Sequence, residues 1–300
     1  MKNPLVRGCV IMSILSITCR FFLCHHSSRL GWVAQRLSSL QIKSGSIFNR
    51  QNYLLIESCI AYITANIALS IWYVVDKDET LQIQMYTFGN RIDHPTLHKA
   101  FSITLQIFYV IFFASPVNAF LTFFILVCHD IEELLHSYKE TMIIQRVPDY
   151  ERLMKTYLSL RKYVFEIDKQ LNCTVFWAIL TNIFVLYFGI TAIIGEGATH
   201  IALRISTFFS LGYSTFMFII PCLYANRVSS SAAAIAEEAN TLEENPMNYY
   251  VIHNRYLHIV NQDMYMTIGG FLPLKKNFIL VSIGTMVTYS VLIKDIMRGD

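Results

Sequence analysis

Charge is what this 300-residue chain has least of. Asp, Glu, Lys and Arg make up only 15% of it, and the net charge is +3. So small a balance excludes a nucleic-acid reader, which needs a concentrated basic face for its phosphate contacts. Glycine (12) and proline (7) are sparse as well, which excludes collagen-like and low-complexity chains. The seven cysteines, at positions 9, 19, 24, 59, 128, 173 and 222, are odd in number and contain no C-x-x-C. They read as small buried hydrophobes rather than a disulfide framework or zinc site. The nine histidines contain no H-E-x-x-H, and His253 and His258 are five apart, a poor spacing for a shared metal. No glycine-rich phosphate loop follows a strand, and no nucleophile, base and orienting group fall at a recognisable spacing. An enzyme is therefore not expected, and neither is a metal or a cofactor.

Apolar residues are what the chain has in quantity: 54% of the sequence is hydrophobic and the mean hydropathy is +0.43. These values belong to an all-α, multi-pass membrane protein. A bilayer crossing takes about 20 mostly apolar residues. Six stretches meet that demand: 5–24, 53–75, 101–128, 172–194, 201–224 and 273–293. The first could pass for a signal peptide, but Arg20 and Phe21-Phe22-Leu23 stand where small cleavage-site residues belong. Pro116 and Pro221 fall inside spans as tolerated kinks. Composition divides the chain into residues 1–128 (three spans), 129–171 (a polar helical extension), 172–224 (two spans), 225–272 (further polar helices) and 273–300 (the last span).

Within the first extension Tyr150, Leu153, Tyr157, Leu160, Val164, Ile167 and Leu171 alternate three and four residues apart. That is a heptad-like seam, and it requires another helix. Tyr249, Ile252, Tyr256, Leu257 and Val260 form a second apolar face. The two are expected to pack on each other and on neighbouring subunits. In the last span Gly284, Thr288 and Asp295 share one helical stripe, with Leu292 between them. Spacing alone leaves two readings open, a small-residue packing face or a face lining water. Arg204, near the start of its span, either snorkels to the interface or belongs to a ligand pocket. Glu57, one turn into its span, reads as interfacial.

Lys and Arg orient the chain. Residues 25–52, 129–171 and 225–276 hold fifteen of them, against three in the alternate loops 76–100 and 194–200. Both long polar regions are thus expected in the cytoplasm, with the C-terminus outside. Six spans then leave the N-terminus outside too, and the expectation is that one earlier span is absent from this sequence.

The layout resembles that of the arthropod gustatory/odorant receptor superfamily, whose members have seven spans, an inner N-terminus and an outer C-terminus. Their last helix carries Thr-Tyr, five hydrophobic residues and Gln-Phe. Here Thr288-Tyr289 is followed by Ser290 to Lys294 and then Asp295-Ile296. Gly270-Phe271-x-x-Leu274 is similar to the family's approach to that helix, and Arg161-Lys162-Tyr163 to Leu171 to its second cytoplasmic loop. The resemblance covers Tyr53 to Ile296, with residues 1–24 matching the second span.

It implies a ligand-gated, non-selective cation channel in the plasma membrane. Four subunits, alike or mixed, would surround a pore made of the last helices, and the ligand would be a small-molecule tastant or odorant. Thr288 and Tyr289 would be the motif pair, with Asp295 and Ile296 at the gate position and Leu292 the constriction. Tyr157, Leu160, Val164, Ile167, Tyr256 and Val260 would anchor the subunits. The alternatives are a metabotropic seven-helix receptor and a secondary transporter. The former would have its C-terminus inside, and the latter would show related halves.

Overall fold

The computed structural model describes residues 4–44, 56–65, 67–68, 94–144, 149–194, 201–242 and 250–298. Most of the alternate loops 76–100 and 194–200 lies outside them, as does nearly half of the second expected span. The chain is helical almost throughout. Its helices are α1 (Pro4–His25), α2 (Ser27–Ser44), α3 (Ile56–Ala65), α4 (Pro95–Tyr109), α5 (Ser115–Ile144), α6 (Tyr150–Ile194), α7 (Ile201–Thr241), α8 (Tyr250–Val260) and α9 (Lys276–Arg298). A short antiparallel hairpin, β1 (Thr267–Ile268) with β2 (Leu272–Pro273), sits between α8 and α9.

Three stretches among the described residues are long and apolar enough to cross a membrane: Val110–Ile144, Tyr150–Thr191 and Thr207–Thr241. Two shorter apolar helices, Ser13–His25 and Ile56–Ala65, lie in the first two expected spans. Threonines inside these helices dispose of their hydroxyls locally. Thr64, Thr122, Thr181, Thr191 and Thr215 each donate to the carbonyl four residues back, at 2.8 to 2.9 Å. An unpaired hydroxyl against lipid would be costly, and this bond removes the problem without a partner helix. The kink expected at Pro116 takes a definite form. Five residues of π-helix, Val110–Ala114, precede Ser115-Pro116. Proline donates no N–H and its ring crowds the carbonyl four residues back, and a widened turn relieves both.

Every boundary drawn from composition falls inside a continuous element. The one at 128 cuts α5, that at 171 cuts α6, that at 224 cuts α7 and that at 272 cuts β2. Composition marks where the surroundings change from apolar to polar, and a helical backbone has no need to break there. The 45-residue α6 shows the consequence. At 1.5 Å per residue it is a rod of about 67 Å, roughly twice a bilayer core. Its start is set by Asp149, whose carboxylate accepts the Arg152 N–H at 3.1 Å as an N-cap.

The core lies where α5, α6, α7 and α8 come together. Phe124, Ile131, Leu135 and Met142 of α5, Phe218 and Ile235 of α7, and Tyr256 of α8 are fully buried around the α6 seam. The opposite ends of the spans are packed differently. Phe108, Ile111, Ile205 and Phe208 all stand exposed, which in water would cost about 25 cal/mol for each Å² of apolar surface.

Candidate functional site: the last helix and its mount

The hairpin ahead of α9 is built by its glycines. Gly269 and Gly270 adopt φ of 63° and 81°, backbone that side chains other than glycine rarely tolerate. A Cβ on Gly270 would also come within 3.2 Å of the Asn172 side-chain nitrogen, so the hairpin tip lies directly on α6. The Asn172 carbonyl accepts the Gly269 N–H at 3.0 Å. One turn earlier on α6, the two oxygens of Asp168 take the Thr267 N–H at 2.7 Å and the Thr267 hydroxyl at 2.6 Å. Asp168 is buried. Burial pushes its carboxyl above the usual carboxylate range, while the two bonds from Thr267 pull it back. Met266, Ile268 and Leu274 bury the apolar side of the hairpin, and the Leu274 N–H returns to the Met266 carbonyl at 2.9 Å.

Helix α9 starts two residues after Leu274. The Lys276 N–H donates to the Asn226 side-chain oxygen of α7 at 3.2 Å, so a neighbouring helix satisfies one of the orphan donors. Ile279 and Met286, seven residues apart, are the buried side chains of α9, which packs on α6 and α7. Phe278, against the Phe218 ring, and Ile283 are partly buried on the same side, while other described side chains of α9 stand exposed. Leu280 is 72% exposed, Val281 67% and Leu292 51%. Gly284 has no neighbour within 4 Å of where a Cβ would stand.

The residues expected at the pore divide accordingly. Thr288, Tyr289 and Leu292 are all exposed, and the Thr288 hydroxyl is bonded back to the Gly284 carbonyl at 2.8 Å. Gly284, Thr288 and Leu292 lie four apart along one side of α9. Among the described residues no other element packs over Gly284, and Thr288 and Leu292 stand exposed. The side chains of Asp295 and Ile296 lie outside the described residues, as does that of Arg204.

The seam residues are spent inside the chain. Tyr157, Val164, Ile167, Tyr256 and Val260 are each 2% exposed or less, and Leu160 alone is half-buried. A polar chain runs through them. Tyr138 donates to the Leu153 carbonyl at 3.1 Å and lies 3.0 Å from the Tyr256 hydroxyl, which in turn reaches the Met142 sulfur at 3.1 Å. Burial pushes the Tyr157 phenol up to about 12, although Arg161 pulls the other way. The first half of the packing expectation therefore describes this chain's own fold. A neighbouring subunit would have to meet other side chains of these helices, because these five are already covered.

His253 is buried against the Tyr150 ring while His258 is exposed, so the pair does not share a face. Glu57 is exposed on α3. Sequence reasoning missed two features. One is the Asp168–Thr267 clamp. The other is an aromatic stack in which Tyr62 of α3 lies against Phe209 and Tyr213 of α7. The i, i+4 placement of Phe209 and Tyr213 was a usable signal for the stack.

No family model and no curated protein sequence matches the chain. Solved structures do. The chain is similar to the insect olfactory receptor OR5 from Machilis hrabei, with a TM-score of 0.59 at 10% identity, over 95% of this chain and 79% of that one. The same receptor in complex with eugenol gives a TM-score of 0.62 at the same identity and coverage. Identity that low speaks for architecture alone, and there the agreement is nearly complete in extent. This chain has the all-helical fold of the insect olfactory receptor OR5, with three described stretches long and apolar enough to cross a membrane.

Proposed function

We propose that the chain is a subunit of a gustatory-type chemosensory receptor, a ligand-gated, non-selective cation channel of four subunits in the plasma membrane. The observation that carries this reading is the free face of α9. A long apolar helix, fixed at one end by a hairpin and bare on the side bearing Gly284, Thr288 and Leu292, lacks only copies of itself to line a pore. The shared fold with an olfactory receptor, solved also with eugenol, supports the same reading and a small-molecule ligand. Thr288 and Leu292 then face the axis, Leu292 as the hydrophobic constriction. Asp295 forms an acidic ring at the outer mouth with Ile296 beside it, and Tyr289, 100° away from Thr288, meets the neighbouring helix. Arg204 belongs to the ligand pocket. Exposed apolar residues such as Leu158, Phe165 and Val251, on the outer faces of the seam helices, take over the anchoring of neighbouring subunits.

The test is electrical. The chain, expressed in cells that lack native receptors, should carry cation current when a panel of tastants and odorants including eugenol is applied. Four carboxylates at one mouth concentrate cations most where salt screening is weak. Asp295→Asn should therefore lower single-channel conductance in dilute saline and much less in concentrated saline. Conductance indifferent to Asp295→Asn at both salt levels removes the ring, and silence across the panel counts against the receptor reading.

A further inference from the structure

Besides the bond from the Lys276 N–H to Asn226 of α7, the contacts that position α9 are of two kinds. Ile279 and Met286 pack on α6 and α7 through apolar contact, which is non-directional and lets surfaces slide. The hairpin is held differently. Asp168 is a formal charge inside the protein, and among the described residues no basic side chain is within ion-pair distance of it. Its two oxygens are engaged by one residue, Thr267, through the backbone N–H at 2.7 Å and the hydroxyl at 2.6 Å. Short, charge-assisted bonds in a fork fix direction as well as distance. Asn172 repeats the grip one turn along α6, through the Gly269 N–H. The 2.9 Å bond from Leu274 to Met266 closes the hairpin, and α9 begins directly afterwards. A buried carboxylate is an expensive way to hold a loop that needs only to stay folded. It suits a loop whose orientation relative to one helix has to be kept while the rest slides.

We propose that Asp168 is the positioning residue that couples α6 to α9. Tilt or translation of the long α6 rod passes through the Asp168–Thr267 clamp to the hairpin and sets the position of the last helix. The proposal rests on α9 lining a pore. The clamp belongs to the conformation described here, so weakening it redistributes the population towards conformations without it.

Three variants separate the clamp from simple folding. Thr267→Ser keeps both bonds, Thr267→Val removes the hydroxyl bond alone, and Asp168→Ala removes both. Two readouts are taken on the full chain: backbone hydrogen exchange over residues 264–276 in the purified protein, and unstimulated current per surface-labelled subunit in cells. In Thr267→Val, exchange should quicken about tenfold, the effect of leaving one buried acceptor unpaired. Asp168→Ala should quicken it further. Current per subunit should shift about tenfold, in the same direction in both variants, and Thr267→Ser should match the wild type throughout. Unchanged exchange in Thr267→Val overturns the clamp. Faster exchange with unshifted current overturns the coupling. A wild type that carries no current under the tastant and odorant panel overturns the pore reading instead. That case is recognised because exchange still separates Thr267→Val from Thr267→Ser.

Discussion

Helices α6 and α9 both carry an apolar stripe at regular spacing, and the structure treats the two in opposite ways. The α6 stripe, Tyr150 to Leu171, is almost wholly covered by α5, α7 and α8 of the same chain. The α9 stripe, Gly284, Thr288 and Leu292, stands exposed among the described residues. The setting differs, since the α6 stripe lies in the polar extension and the α9 stripe in the last apolar span. Side-chain size differs as well. The α6 seam offers two tyrosines, three leucines, a valine and an isoleucine that fill a groove, whereas the α9 stripe offers, besides Leu292, a glycine and a threonine whose hydroxyl is already satisfied. Large side chains specify a partner within the fold, and small ones leave room for a second backbone to approach.

The comparison breaks most readily at Ile167. Ile167→Glu places a charge where the side chain is fully buried and should cost about 4 kcal/mol. The expected outcome is loss of the monodisperse fraction after detergent extraction. Leu292→Glu, on the exposed stripe, should extract like the wild type while abolishing current. Equal damage to folding from both substitutions would erase the distinction between the two stripes. Leu160→Glu should fall near Leu292→Glu in extraction, because Leu160 is only half-buried.

A smaller effect is expected within the tyrosine chain. Tyr256→Phe removes the hydroxyl that lies between Tyr138 and Met142. Tyr138 keeps its bond to the Leu153 carbonyl, so the loss should be about 1 kcal/mol, read as a lower midpoint in a thermal-unfolding assay. An unchanged midpoint would mean that the seam draws its stability from apolar contact alone.

Gly284→Ala sharpens the other side. The new methyl meets no atom of the described residues within 4 Å, and alanine favours a helix over glycine by about 0.5 to 1 kcal/mol. The isolated subunit should therefore be as stable as the wild type or slightly more so. A fall in the oligomer fraction on a native gel, with monomer stability kept, would place a neighbouring helix against the stripe.

The smallest expected effect is none. Asn172-Cys173-Thr174 is the sequon of this chain, and it lies within the continuous α6 with Thr174 fully buried. Endoglycosidase treatment should leave the wild-type gel mobility unchanged, whereas a sequon introduced near Asn90 should shift it. A glycan on Asn172 would overturn both the burial and the orientation.

Periodicity made the seam legible, because seven large apolar residues at three- and four-residue steps leave few alternatives to a buried helix face. It made the α9 stripe legible as a stripe but not its exposure. That depends on what the rest of the chain does not supply. The hairpin was present in the sequence only as Gly269-Gly270, a turn signal without a partner, since each strand is two residues long and carries no alternation. The Asp168–Thr267 clamp could not be read at all. Its members are 99 positions apart, and an isolated aspartate in a charged amphipathic stretch looks like solvated surface. The compositional limits likewise fall inside continuous elements, because α5, α6 and α7 pass from apolar to polar stretches without a backbone break.

That separation of 99 positions also sets an order of events during biogenesis. Asp168 enters the nascent protein long before Thr267 is synthesised, and the hairpin donors cannot reach it until α6 and α7 are in place. In the interval the carboxylate must stay hydrated or protonated, because a bare charge among apolar helices is unstable. Docking of the hairpin is therefore a late step that consolidates the earlier helices. A chain that ends within α7 or α8 lacks Thr267, and Asp168 is then without the two donors that engage it.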